Sequence, residues 1–246
     1  MAFQFLKQFA ATALHFPLMS PSNTPSLRVW DLPTRLFHWL LAASVVALIV
    51  TAKIGGNAME WHLRLGHVVL ALLLFRLIWG VLGGHWSRFL TFVPSPARLV
   101  RYVRGQGSAS EDVGHSPLGA LSVIAMLLVL GLQVATGLVS DDEIAFAGSL
   151  VRFVSSDTIN WATRWHQGWG QWLLWAMLGL HLAAIAFYTL VQRKKLVAAM
   201  LHGDKPQPAP AQPASRDGAG QRLSALLFAL SCAVIAYWVW TRATAF

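Results

Sequence analysis

Apolar residues gather in five long stretches of this chain, 36–54, 62–82, 118–139, 166–191 and 223–240. Each is near the roughly 20 residues that cross about 30 Å of hydrocarbon. All five are expected to be helices, because lipid offers no partner for an exposed backbone amide. The segment DLPTRLFHW opens the first, with Asp31 near the N-cap and Pro33 in the first turn. Ahead of the fifth lies KPQPAPAQPASRDGAG, a Pro/Ala/Gly-rich tract without apolar period. It reads as a flexible linker, which makes the fifth helix a loosely attached addition. The first residues lack a small-x-small cleavage site and form a disordered or interfacial tail. The expected organisation is a tail at 1–26, a four-helix domain at 27–200, a linker at 201–221 and a C-terminal transmembrane helix at 222–246. The fold class is an all-α membrane protein, a four-helix bundle plus one further helix.

Composition supports the membrane assignment: 56% of the 246 residues are hydrophobic and only 12% are Asp, Glu, Lys or Arg, about half the share usual in soluble domains. A net charge of +9 raises the question of nucleic acid, but the basic residues lie between apolar runs rather than along one polar face. They serve better as topology signals. Arg88, Arg98, Arg101 and Arg104 follow the second stretch, and Arg193, Lys194, Lys195, Lys205, Arg216 and Arg222 follow the fourth, placing both connections in the cytoplasm. Asp141, Asp142, Glu143 and Asp157 outweigh Arg152 and Arg164 between the third and fourth. The N-terminus is therefore expected on the cytoplasmic side and the C-terminus outside. The single cysteine, Cys232, excludes an internal disulfide and a CxxCH attachment, so any haem is noncovalent.

Nine histidines sort by position. His15, His85, His115 and His202 fall in tails or loops, where a solvated imidazole needs no explanation. His38, His62, His67, His166 and His181 lie within or at the edge of the stretches, and an ionisable group there is a functional candidate. His38 starts the first helix from the inner side. His181 stands fifteen residues after His166 on a descending helix, roughly 22 Å deeper. His38 and His181 can thus share an inner level, and His62 and His166 an outer one. Two imidazole pairs, each bridging two helices, are what two stacked six-coordinate haems require.

Fifteen residues leave a rotational offset of about 60° between His166 and His181, which a bulge within WGQWLLWAMLG would absorb. His67 points about 140° from His62, so only one of them can serve a given iron. His62 is preferred for its place in the first turn, with Gly66 one turn on letting a flat macrocycle approach the backbone. Arg76, fourteen residues after His62, lies level with the inner pair. The spans hold no Asp or Glu to pair with it, so a haem propionate or snorkelling to the surface are its two readings. Arg35 on the inside, with Arg64 or Arg164 outside, are weaker propionate candidates. Lys53 reads as an interfacial anchor or a neighbour of a quinone headgroup.

The segments VWDLPTRLFHWLL, EWHLRLGHVVLALLLFRLIWG, LQVATGLVSDD, WHQ and GLHLAAI resemble the bacterial cytochrome b561 family, including the b-type cytochromes of Ni,Fe-hydrogenases. The likeness runs from about Leu27 to Lys195. It implies four core helices, two noncovalent haem b groups, and electron transfer between the quinone pool and a redox partner such as a hydrogenase or a c-type cytochrome. Carried over, the ligands fall on His38, His62, His166 and His181. In that family the last two ligands usually stand fourteen apart, against fifteen here, and the position of His67 is often aromatic. The chain is expected to be an electron-transfer protein of the respiratory chain rather than a stand-alone enzyme. The alternative is a membrane haem oxidoreductase acting directly on a ferric chelate or superoxide with quinone as co-substrate.

Overall fold

The computed structural model describes residues 26–104, 106, 113–206 and 211–242. The tail expected at 1–26 lies outside them except for Ser26, which opens strand β1 (Ser26–Arg28). Helices α1 (Leu32–Ile54) and α2 (Ala58–Leu82) follow, then the short α3 (Pro96–Val103), α4 (Pro117–Leu138) and a long α5 (Ser156–Val191). The chain continues through α6 (Leu196–His202) and β2 (Asp204–Pro206) to α7 (Ala219–Thr241). Among the described residues five helices are long and apolar enough to cross a membrane: α1, α2, α4, α5 and α7.

Capping explains where they begin. Asp31 accepts from Thr34 N at 2.8 Å at the head of α1, and Ser116 accepts from Gly119 N at 3.2 Å at the head of α4, where Pro117 fills the first position. Helix α5 starts ten residues before its apolar stretch. Its opening, SDTINWATR, is capped by Ser155 and amphipathic, so apolar length alone does not reveal it. Gly55 and Gly56, at φ 67° and 52°, turn α1 directly into α2, a left-handed conformation that side chains disfavour.

The long helices run alternately up and down. The end of the bundle where α1 begins is called the near end here, and the end where α1 stops the far end. Helix α2 is the most enclosed, packing on α1, α4 and α7. Helix α7 is not loosely attached. Gln221 at its start reaches Leu82 O, Trp240 at its end packs on His67, and its small buried residues Ala225, Cys232 and Ala236 permit the close approach. The linker ahead of it is also tied down: Ser215 N donates to Arg28 O and Ser215 Oγ to Val29 O, each at 2.7 Å. Asp217 accepts from Leu32 N at 3.1 Å and pairs with Arg28 and Arg222. Composition conceals this docking because two polar side chains, not an apolar pattern, produce it.

Asp31 is the hub of the near end. Fully buried, its carboxylate also accepts from Trp79 Nε1 (3.2 Å), Gly84 N (3.0 Å) and Ser87 Oγ (2.8 Å). It thereby joins the start of α1 to the end of α2. A side chain at Gly84 would put Cβ within 2.3 Å of Asp31 Oδ2, so glycine is needed there.

Two outcomes follow for stability in detergent. Asp31→Ala strands the Trp79 and Gly84 N–H groups without an acceptor, and thermal unfolding should report a loss of about 2–5 kcal/mol. At Asp217, burial alone would raise the pKa, but hydrogen bonds from Arg222 and Leu32 N and the charges of Arg222 and Arg28 outweigh it and hold the carboxyl below its usual range. A lowered folded pKa contributes stability above the unfolded value of about 4, lost as pH falls through the folded one. Melting temperature should therefore drop more steeply below about pH 4 in the native chain than in Asp217→Asn.

Candidate functional site

At the far end, α1, α2, α4 and α5 enclose a cavity of 440 Å³ whose lining includes His62, Gly66, Gln133 and His166. His62 comes from the first turns of α2, and its Nδ1 lies 3.0 Å from Leu48 O of α1. A carbonyl only accepts, so Nδ1 carries the proton and Nε2 keeps a bare lone pair. His166 repeats the arrangement, with Nδ1 at 2.9 Å from Gln133 O of α4. The Gln133 side chain returns a bond to His166 O at 2.8 Å. Donation of the second ring nitrogen to a backbone carbonyl is how ligating histidines are oriented. The two ring centroids are 6.1 Å apart with planes at 86°, and two trans imidazoles bonded to one metal at about 2 Å each need centroids roughly 6 Å apart. Gly66 faces open space, with nothing within 4 Å of a built Cβ.

His67 lines the same cavity but differs in kind. Its Nδ1 donates to Leu63 O at 2.8 Å, and its Nε2 accepts from Ser149 Oγ at 2.9 Å. Both nitrogens are used, and the ring fastens α2 to the 149 loop and to Trp240 of α7.

Helix α5 resolves the spacing of its histidines. It widens into a π turn at Trp165–Trp169, where Gly168 takes φ −105° and ψ −106°. One residue is taken up without advancing the helix, so fifteen residues act as fourteen and the offset becomes about 40° in the opposite sense. The bulge lies one turn earlier than expected and overlaps WGQWLLWAMLG at Trp169 and the following cap. Gly168 supplies the tolerance. Gly137 and Gly170 let α4 and α5 meet there: a Cβ on the first would touch the His166 ring at 2.8 Å, and on the second Gln133 Oε1 at 2.2 Å.

Toward the near end, His38 of α1 and His181 of α5 stand within electrostatic reach of one another, and His38 Nδ1 is buried without a hydrogen-bond partner. An apolar layer of Val45, Val69, Leu73, Leu130, Leu174 and Leu178 separates this pair from the far one. Arg76, 3% exposed, does not snorkel. It donates to Ser87 O at 3.0 Å, lies over Phe89, and has Asp31 as its counter-charge, a carboxylate at the cap of α1 rather than inside a span. Arg35 donates to Leu201 O at 2.5 Å, leaving Nε buried and unpartnered. Arg64 pairs with Glu60 at 3.5 Å, Arg164 lies among the far-end tryptophans, and Lys53 sits on the rim of the far cavity.

Sequence reasoning missed Gln133, Ser149 and His115. A glutamine inside an apolar run was the available signal for the first. His115 precedes α4 and lies between Trp30 and Phe92, each ring centroid 4.6 Å away. Burial, followed by Arg76, Lys205 and His38, lowers its pKa to about 3, so the ring is neutral. Among the described residues no group of three or more His, Cys, Asp or Glu side chains could hold a bare metal ion. Imidazole pairs with no other donors suit an iron whose equatorial positions a macrocycle fills.

The profile of the family described as prokaryotic cytochrome b561 matches residues 29–203, which include all four paired histidines and exclude α7. The chain is 21% identical over 217 residues to a probable Ni/Fe-hydrogenase B-type cytochrome subunit of Bradyrhizobium diazoefficiens, covering 74% of this chain and 86% of that one. It is 26% identical over 211 residues to the protein of that name from Azotobacter vinelandii, covering 71% and 86%. With the one from Cupriavidus necator it shares 25% identity over 208 residues, covering 71% and 85%. No solved structure matches.

Deleting Gly168 should convert the π turn to α-helix, restore a spacing of fourteen and leave the visible absorption spectrum intact. Inserting one alanine after Gly168 rotates His166 by about 100° and should reduce the visible absorbance.

Proposed function

The chain belongs to the prokaryotic cytochrome b561 family, and from that premise we propose that it holds two haem b groups and passes electrons between the quinone pool and a redox protein. His62 and His166 hold the far haem and His38 and His181 the near one. Gly66 gives the far macrocycle its approach, and Arg76 and Arg35 lie on the side of the near one. The observation that carries the reading is the far pair: two imidazoles 6.1 Å apart, each with Nδ1–H donated to a carbonyl and Nε2 left bare.

A bound haem supplies one-electron chemistry at iron. The protein's part would be to hold each iron between two imidazoles, His62 with His166 and His38 with His181, which would leave no open site for oxygen or a substrate and favour outer-sphere transfer. Along α5 the two ligands stand about 21 Å apart, so the stacked pair reaches across most of the membrane. The near end, with Arg88, Arg98, Arg101, Lys194 and Lys195, is the cytoplasmic side, and the acidic far-end loop at Asp141–Glu143 faces outward. The relatives are named as hydrogenase cytochrome subunits, and a Ni,Fe-hydrogenase is accordingly the protein partner, with quinone as the small one.

Pyridine haemochrome assay of the purified chain should give about two haem b per polypeptide, and His38→Ala, His62→Ala, His166→Ala or His181→Ala about one, by the one-iron-per-pair assignment. Absence of haem from the native chain, or the full complement in any of the four variants, would overturn the reading.

A further inference from the structure

Basic side chains crowd the near end. His115 is acted on by Arg76, Lys205 and His38, and Arg35 lies on the carboxyl end of α6, its Nη1 on Leu201 O. Among the described residues the acids in this region are committed elsewhere: Asp31 to its four donors, and Asp204 and Asp217 to Arg28 and Arg222. His38 Nδ1, Arg35 Nε and His115 Nδ1 are all buried without a partner. A buried donor left unpaired is costly, and with His38 assigned to an iron, the two on Arg35 and His115 at one end of the bundle mark a place shaped for an acceptor.

Arginine and lysine offer only donors and carry positive charge, so an anion is the acceptor that suits the place best. Lys205, on β2, is steered inward: Nζ donates to Val113 O at 2.8 Å and Gly114 O at 3.2 Å, carbonyls of the segment that leads into His115. Its charge lies over Trp30, the ring that also flanks His115. Trp30 and Phe92 pack tilted against the imidazole, at 58° and 47°, so its free edge is what remains to reach a ligand.

We propose that His115, with Lys205 behind it and Arg76 beside it, receives the carboxylates of the macrocycle held by His38 and His181, and so tunes the near haem from outside the bundle. The inference rests on the haem assignment above. His115 acts as a positioning residue, its Nδ1–H donating a charge-assisted hydrogen bond to a propionate oxygen. Each donor or positive charge set against the propionates offsets negative charge near the iron and favours the ferrous state.

The test is a spectroelectrochemical titration of the purified holoprotein, with the two haems resolved as two waves. His115→Phe keeps a ring beside Trp30 and Phe92 but removes the N–H, His115→Gln keeps a donor, and Lys205→Met removes the charge behind His115. In His115→Phe and Lys205→Met, one wave should shift to lower potential while the other stays and haem content is unchanged. The shifted wave should be the one that survives in His62→Ala, and His115→Gln should fall nearer the native value. Unmoved waves, or equal movement of both, would overturn the proposal. Loss of haem in His115→Phe alone, with Gln retaining both, supports it. Loss in both His115 variants with Lys205→Met unshifted counts against it. A native chain without two haems fails the functional reading itself, whereas two haems with unmoved waves fail this inference only.

Discussion

Hydrocarbon gives a polar group nothing to bond to, so every hydrogen-bonding atom carried into the bundle must find its partner inside. That constraint decides what each histidine of this chain can do. His62 and His166 spend one nitrogen on a carbonyl of a neighbouring helix and present the other to a shared cavity. His67, five residues from His62 and on the same cavity wall, spends both. Residue type and depth are nearly the same, yet one is fit to bind iron and the other to brace a helix.

The constraint also explains how the bundle is held. Apolar side chains gain little by leaving lipid for one another, and many leucines and valines of α1, α5 and α7 stay exposed to it. Polar links do the positioning. Asp31 locks α1 to the end of α2, Ser215 and Asp217 lock the chain ahead of α7 to β1 and the start of α1, and Gln133 locks α4 to α5 beside His166. The mid-level layer around Val69 and Leu130 is apolar filling between the two imidazole levels.

Much of this was legible in the residues before any coordinates. Hydropathy located the cores of all five helices, and the rise of 1.5 Å per residue sorted four histidines into two levels. What escaped was produced by single side chains acting at long range. No periodicity reveals that Ser215 docks on Val29, or that Asp31 sits level with Arg76 across two helices. The bulge itself was called for by the spacing of fifteen, but its exact place, the π turn at Trp165–Trp169 around Gly168, was not. His115 was set aside as a loop histidine because its burial depends on Trp30 and Phe92, which arrive from distant segments.

The central claim is that two imidazole pairs grip two irons axially, and electron paramagnetic resonance of the oxidised purified protein tests it most directly. Bis-imidazole ligation predicts low-spin ferric signals alone, one of them strongly anisotropic because the far pair holds its ring planes at 86°. A stoichiometric high-spin ferric signal, or a haem-free spectrum, would contradict the account.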